Sequence, residues 1–182
     1  IHKEKLKQDF VHFQGEGTEE ECLDLYDAMW TSVTTDDIEF GLIPLNKVEK
    51  IKKAHKDILA NKGEVFVYAS NDFDDLTIDD SKDIVSDIVR IHGPVDLIIY
   101  DYLELYGVKG KYYNSEAGER KRRADIGNKI TSMATTFDAA SLTAMQAADI
   151  PMIKWNNLEF VITRSELAEF KGAVRPFSNF IS

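Results

Sequence analysis

The segment Val95–Asp101 reads Val-Asp-Leu-Ile-Ile-Tyr-Asp, and it limits the fold more than any other stretch of the chain. It is too short for a typical helix and nearly continuous in apolar residues. A strand of that kind is buried on both faces, as in the middle of a parallel sheet. Parallel neighbours need crossover connections, usually helices. The residues before it supply one: Thr77 caps a helix over Ile78–His92, with apolar positions at 84, 85, 88 and 89, and Gly93-Pro94 ends it.

The same alternation runs along the chain. Residues 1–9 read as the tail of a helix. Phe10–Gln14 is a short β-rich run closed by Gly15-Glu16-Gly17. Thr18, with Glu21 three residues on, makes a capping box for a helix to Trp30, with Cys22, Leu25, Tyr26 and Met29 at helical spacing. Residues 31–43 read as a polar connection. Asn46–Asn61 is a basic amphipathic helix, and Glu64–Ala69 a strand. Residues 107–119 read as a polar loop. Arg120–Phe137 is a helix with Ile126, Ile130, Met133 and Phe137 on one face, and Ala140–Met145 a short strand. Residues 146–164 read as irregular, Leu167–Arg175 as a turn of helix and Phe177–Ile181 as a last strand. The expected fold class is therefore α/β, with a mostly parallel sheet and helices on both faces, in a single domain over 1–182.

Composition excludes several alternatives. With 182 residues, 43% hydrophobic and 30% charged, the chain can build a core and is too apolar for disorder. Its one cysteine, Cys22, rules out an internal disulfide and a cysteine-rich zinc site; a small apolar helix residue in a reducing compartment is the plain reading. His2, His12, His55 and His92 lack metal-ligand spacing. No run of about 18 apolar residues is present, so no membrane partner is expected. The net charge of −10 argues against a polyanion in bulk. Clustering matters more: Lys109, Lys111, Arg120, Lys121, Arg122 and Arg123 lie close together, interleaved with Tyr112 and Tyr113. Such cations neutralise phosphates and tyrosines stack on bases, although a solvated helix start has the same composition.

Three residues are candidates for nucleotide chemistry. Asp101 ends an apolar strand, so a parallel sheet would deliver its carboxylate to the carboxyl edge where ligands collect. There it can hold magnesium beside phosphates. Glu16 follows the strand Phe10–Gln14, where a carboxylate can orient or deprotonate a water. Gln146 follows the short strand from Ala140, and its amide can hydrogen-bond a γ-phosphate. Taken singly, each has an ordinary alternative: a buried strand end, a solvated loop acid and a surface amide.

Together these residues resemble one family. Gly15-Glu16 after a strand, then Ile98-Ile-Tyr-Asp101-Tyr-Leu-Glu-Leu, then a basic helix, then Ala144-Met-Gln146 is similar to the DnaB-like branch of RecA-type ATPases. In that family an apolar strand leads to Asp-Tyr-Leu-Gln-Leu, and a helix and strand later comes Ala-Leu-Ser-Gln. Ser165–Val174 (Ser-Glu-Leu-Ala-Glu-Phe-Lys-Gly-Ala-Val) resembles its Ser-Asp-Leu-Arg-Glu-Ser-Gly-Ala-Ile segment, with one extra residue. The resemblance covers roughly Phe10 to Ile181, and the Asp-Tyr-Leu stretch is its most specific part. It implies a RecA-like core, ATP and Mg2+ as cofactors, and Asp101 as the Walker B metal residue. It also implies Glu16 as the catalytic glutamate and Gln146 as the γ-phosphate sensor. Loops at 107–119 and 147–172 would face single-stranded DNA in a ring, expected to be a hexamer of phage-like type, with Lys171 and the Gly172 amide touching the DNA backbone. The implied partners are single-stranded DNA, further copies of the chain, and a primase or helicase loader, in the cytoplasm of a bacterial or phage-infected cell.

The chain departs from that pattern in two places. It holds no Gly-x-x-x-x-Gly-Lys-[Ser/Thr] phosphate loop, since Gly107-Val-Lys-Gly110-Lys111 has the wrong spacing and follows the wrong strand. It also ends before the strands that in the family carry the basic residues reaching a neighbour's nucleotide. The expectation is an excerpt of a longer polypeptide, with the loop upstream of Ile1 and the basic finger downstream of Ser182. Three other readings stay open: a RecA- or RadA-like recombinase, a non-catalytic DNA-binding or helicase-docking module, and an unrelated flavodoxin-like domain.

Overall fold

A computed structural model describes residues 9–61, 63–69, 76–109 and 116–144. The expectations for residues 1–8 and for the turn of helix and strand beyond 144 lie outside the described residues. Within them the order is β1 (Phe10–Gln14), α1 (Glu19–Thr31), α2 (Thr35–Glu39), α3 (Leu45–Asn61), β2 (Val65–Ala69), α4 (Ile78–His92), β3 (Leu97–Asp101), α5 (Glu116–Phe137) and β4 (Ala140–Thr143), with a short 3-10 turn at Leu103–Leu105.

The described strands form one parallel sheet in the order β2-β1-β3-β4. The fold class is α/β, as the alternating pattern implies. The register aligns Phe10–Gln14 with Val65–Ala69 on one side and with Leu97–Asp101 on the other. All four strands therefore finish at the same edge.

Side-chain alternation along β1 explains the layering. Val11 and Phe13 enter a core with Ile98 and Tyr100 of β3, Val85 and Ile88 of α4, and Ile126, Ile130 and Met133 of α5. His12 points to the other face, against Cys22 and Tyr26 of α1. The core contains polar atoms, and they are paired. The Tyr100 hydroxyl meets Ser81 Oγ at 3.1 Å and Met133 Sδ at 3.2 Å, and the Tyr106 hydroxyl donates to the Phe13 carbonyl at 2.7 Å. Pairing of this kind avoids the cost of burying a hydroxyl without a partner.

The helix starts follow the caps. Thr18 and Thr77 each accept from the backbone three residues on, and Glu21 and Asp80 reach back to the cap N–H. Two differences from the sequence reading stand out. Residues 31–43 contain the short helix α2, started by Thr34, whose Oγ1 accepts from Asp37 N at 3.2 Å. An element of one turn is too brief to show a period. Helix α5 begins at Glu116, before the expected Arg120, so Arg120–Arg123 occupy its second turn. That position weakens the unfavourable contact between cations and the positive end of the helix dipole.

Ile98 is fully buried at the centre of the core. Ile98→Ala is expected to lower the unfolding free energy by about 3 kcal/mol, measured by urea denaturation followed by circular dichroism.

Candidate functional site

The parallel register sets Gln14, the last residue of β1, beside Asp101, the last residue of β3. Beyond this pair the two chains stay in contact. The Gly15 N–H donates to the Asp101 carbonyl at 2.6 Å. Gly15 is needed there, because a Cβ would lie 2.8 Å from that carbonyl oxygen. The Gln14 side-chain amide donates to the Glu16 carbonyl at 2.7 Å. The Tyr102 hydroxyl donates to Glu16 Oε1 at 2.9 Å. Glu16 and Asp101 thus share one sheet edge, and the residue after Asp101 orients the Glu16 carboxylate. Glu16 is exposed and Asp101 half-buried.

β4 joins the same edge. Thr143 Oγ1 donates to the Tyr100 carbonyl at 2.9 Å, and Leu103 N–H to the Ala144 carbonyl at 3.1 Å. Ala144 lies two residues before Gln146, which is outside the described residues, as are Lys111, Lys171 and Gly172.

The basic run divides by environment. Arg120 and Lys121 are exposed and Arg123 is half-buried. Arg122 turns inward: its guanidinium donates to the Tyr106 carbonyl at 2.7 Å and to Glu119 at 2.9 Å, tying α5 to the segment after β3. Lys109 donates through its backbone to Asp79 at 3.0 Å, and its ammonium lies 3.5 Å from Asp80. Asp79 also pairs with Lys129. The structure therefore shows Arg122 bracing the scaffold, with Arg120 and Lys121 exposed on α5.

Sequence reasoning passed over Tyr102, Gln14 and His12. Tyr102 had a signal, since it follows Asp101 directly. His12 had none. Its Nδ1 lies 2.7 Å from the Tyr26 hydroxyl and 3.4 Å from Cys22 Sγ, and its buried Nε2 has no partner among the described residues. Burial lowers the His12 pKa, and the Asp101 carboxylate pulls it partway back. Burial, helped by Asp101 and Glu19, raises the Cys22 thiol to about 11. Cys22 is thus an inert thiol, in line with its plain reading.

The donor set fits a magnesium ion. Among the described residues no three His, Cys, Asp or Glu side chains converge on a cation. Magnesium does not need such a cage: it keeps most of its water and is held by one or two carboxylates together with phosphates. Asp101, half-buried at the carboxyl edge, is one such carboxylate.

Comparison with solved structures finds the same fold in other proteins. An ATPase domain superposes with a TM-score of 0.72 at 13% identity, covering 93% of this chain and 56% of its own. A DnaB-like replicative helicase, solved to show its interactions with primase, gives 0.71 at 13% identity, covering 93% of this chain and 38% of its own. The chain has the fold of DnaB-like helicase ATPase domains. It spans little more than half the length of the first and less of the second. No protein-family model matches the chain, and no curated protein matches it in sequence. Among the described residues no helix is long and apolar enough to cross a membrane.

The buried histidine makes stability depend on pH. Folded His12 binds a proton less readily than the unfolded chain, whose histidine pKa is near 6.5. Falling pH therefore favours unfolding from about that value down to the lowered folded pKa. The thermal midpoint of the wild type is expected to fall between pH 7.5 and pH 5.5. His12→Gln should flatten that part of the curve in differential scanning calorimetry.

Proposed function

We infer that the chain belongs to the ATP-driven motor core of a replicative DNA helicase. In this reading magnesium-dependent hydrolysis of ATP drives movement on single-stranded DNA. The observation that carries it is the meeting of Glu16 and Asp101 at one carboxyl edge, joined by the Gly15–Asp101 and Tyr102–Glu16 hydrogen bonds. The shared fold of DnaB-like helicase ATPase domains supports it.

Each residue then has a task. Asp101 would hold the magnesium ion, which would neutralise phosphate charge. Glu16 accepts a hydrogen bond from the attacking water and takes its proton. Tyr102 holds the Glu16 carboxylate in one orientation, and Gln146 contacts the γ-phosphate. Arg120, Lys121 and Lys111 neutralise DNA phosphates, with Lys171 and the Gly172 amide on the second loop. Copies of the chain assemble into a ring, and a primase or a helicase loader is the expected protein partner.

A second reading has one observation in its favour: these 182 residues contain no phosphate-binding loop. The chain would then be a RecA-like module that binds DNA or docks on a helicase without hydrolysing nucleotide.

The test is DNA-stimulated ATPase activity of the whole native polypeptide. Asp101→Asn and Glu16→Gln should each lower kcat by about 100-fold or more. Tyr102→Phe should lower it by about tenfold with KM for ATP little changed, since it removes one orienting hydrogen bond. Turnover no higher than background, with or without DNA, favours the non-catalytic module.

A further inference from the structure

Two polar atoms beneath the carboxyl edge are buried and unpaired. His12 is 8% exposed, and its Nε2 has no partner among the described residues. The same holds for Oε1 of Gln14. A buried polar atom without a partner is costly, so two at one place call for an explanation. Both residues belong to β1, two positions apart, and their side chains therefore leave the same face of the sheet. That is the face covered by α1, where His12 Nδ1 lies 2.7 Å from the Tyr26 hydroxyl and 3.4 Å from Cys22 Sγ.

The neighbours fix what each atom can do. Burial, helped by Cys22 and Asp101, pushes the Tyr26 hydroxyl up to about 12, and the Cys22 thiol is also raised. Both groups keep their protons and face Nδ1, which accepts. Burial keeps the imidazole neutral, and a neutral ring that accepts at Nδ1 carries its proton on Nε2. On Gln14 the end that reaches the Glu16 carbonyl, at 2.7 Å, is the amide nitrogen, since only N–H donates to a carbonyl. Oε1 is left as an acceptor. A donor and an acceptor thus share one face without meeting. Two positions along a strand span about 6.6 Å. A water with two hydrogen bonds bridges up to about 5.6 Å. The missing group must accept at one end and donate at the other, which a water does and a metal ion does not.

We propose that one buried water joins His12 Nε2 to Gln14 Oε1, completing a hydrogen-bonded line from Tyr26 of α1 to the Glu16 carbonyl, so that His12 and Gln14 are positioning residues for Glu16. Every donor on this line points the same way: Tyr26 O–H to Nδ1, Nε2–H to the water, the water to Oε1, and the Gln14 amide to Glu16. Bonds arranged in this way polarise and strengthen one another. The line holds the main chain of Glu16, while Tyr102 holds its carboxylate. The water site stands on its own; its effect on turnover rests on the reading of Glu16 as the base.

A crystal structure of the whole native polypeptide, at a resolution that shows ordered solvent, should place one water about 2.7–3.2 Å from both atoms. His12→Phe and Gln14→Leu should each lower kcat about tenfold with KM for ATP little changed. The double variant should be no slower than either single one, because each substitution breaks the same line. Circular dichroism confirms that the variants are folded, and the crystallographic result needs no variant at all. A map with no water between His12 and Gln14 overturns the proposal. So do losses that multiply to about a hundredfold in the double variant, a KM that rises in step with the fall in kcat, or variants as fast as the wild type. A wild type that holds the water but shows no turnover sinks the reading of Glu16 as a base, and the positioning role with it. Turnover without the water sinks this inference alone.

Discussion

The contact on which the sheet edge depends is that between the backbone leaving β1 and the backbone ending β3. Gly15 donates to the Asp101 carbonyl at 2.6 Å, and the space between them has no room for a Cβ. A larger residue would push the two segments apart. The Glu16 carboxylate and the Asp101 carboxylate would then lose their common frame, since the Tyr102 hydroxyl that reaches Glu16 belongs to the same segment. The site is therefore held by main chain first and by side chains second. This suits a pair of like charges, which need rigid support to remain neighbours.

Support for that edge extends into both layers. On one face Tyr106 bonds the Phe13 carbonyl, and Arg122 bonds the Tyr106 carbonyl in turn. A chain of hydrogen bonds thus runs from β1 through the segment after β3 to α5. The second turn of α5 carries Arg120 and Lys121 outward on the same backbone. On the other face His12 sits between Tyr26 and the sheet, under the influence of Asp101. Changes at the carboxyl edge and in the basic helix share one mechanical link, and Arg122 is its joint.

Much of this was legible in the sequence because it rests on local rules. The apolar run ending in Asp101 declared a central parallel strand, and the Thr18 and Thr77 capping boxes declared where helices start. What could not be read depends on long-range approach. Nothing local says that Tyr102 reaches back to Glu16, or that Arg122, one cation among several, turns inward to a carbonyl. His12 lay in an alternating strand whose solvent side was unknown until α1 was seen to cover it. Helix α2 was missed because one capped turn has no period to detect.

The charge of the chain poses a final question, since a net −10 protein is read here as handling nucleic acid. The answer lies in where the charges sit. Glu19, Glu20, Glu21, Asp24 and Asp27 crowd α1, whereas Arg120, Lys121, Arg122 and Arg123 sit on α5. The two helices pack on opposite faces of the sheet. Over a Debye length of roughly 8 Å in physiological salt, each surface is governed by its own charges and only weakly by the total. Local cations can therefore hold phosphate on a chain whose bulk charge opposes it. Binding through so few cations should be weak in one copy and sensitive to salt, and it gains strength when several copies present the same helix to one strand.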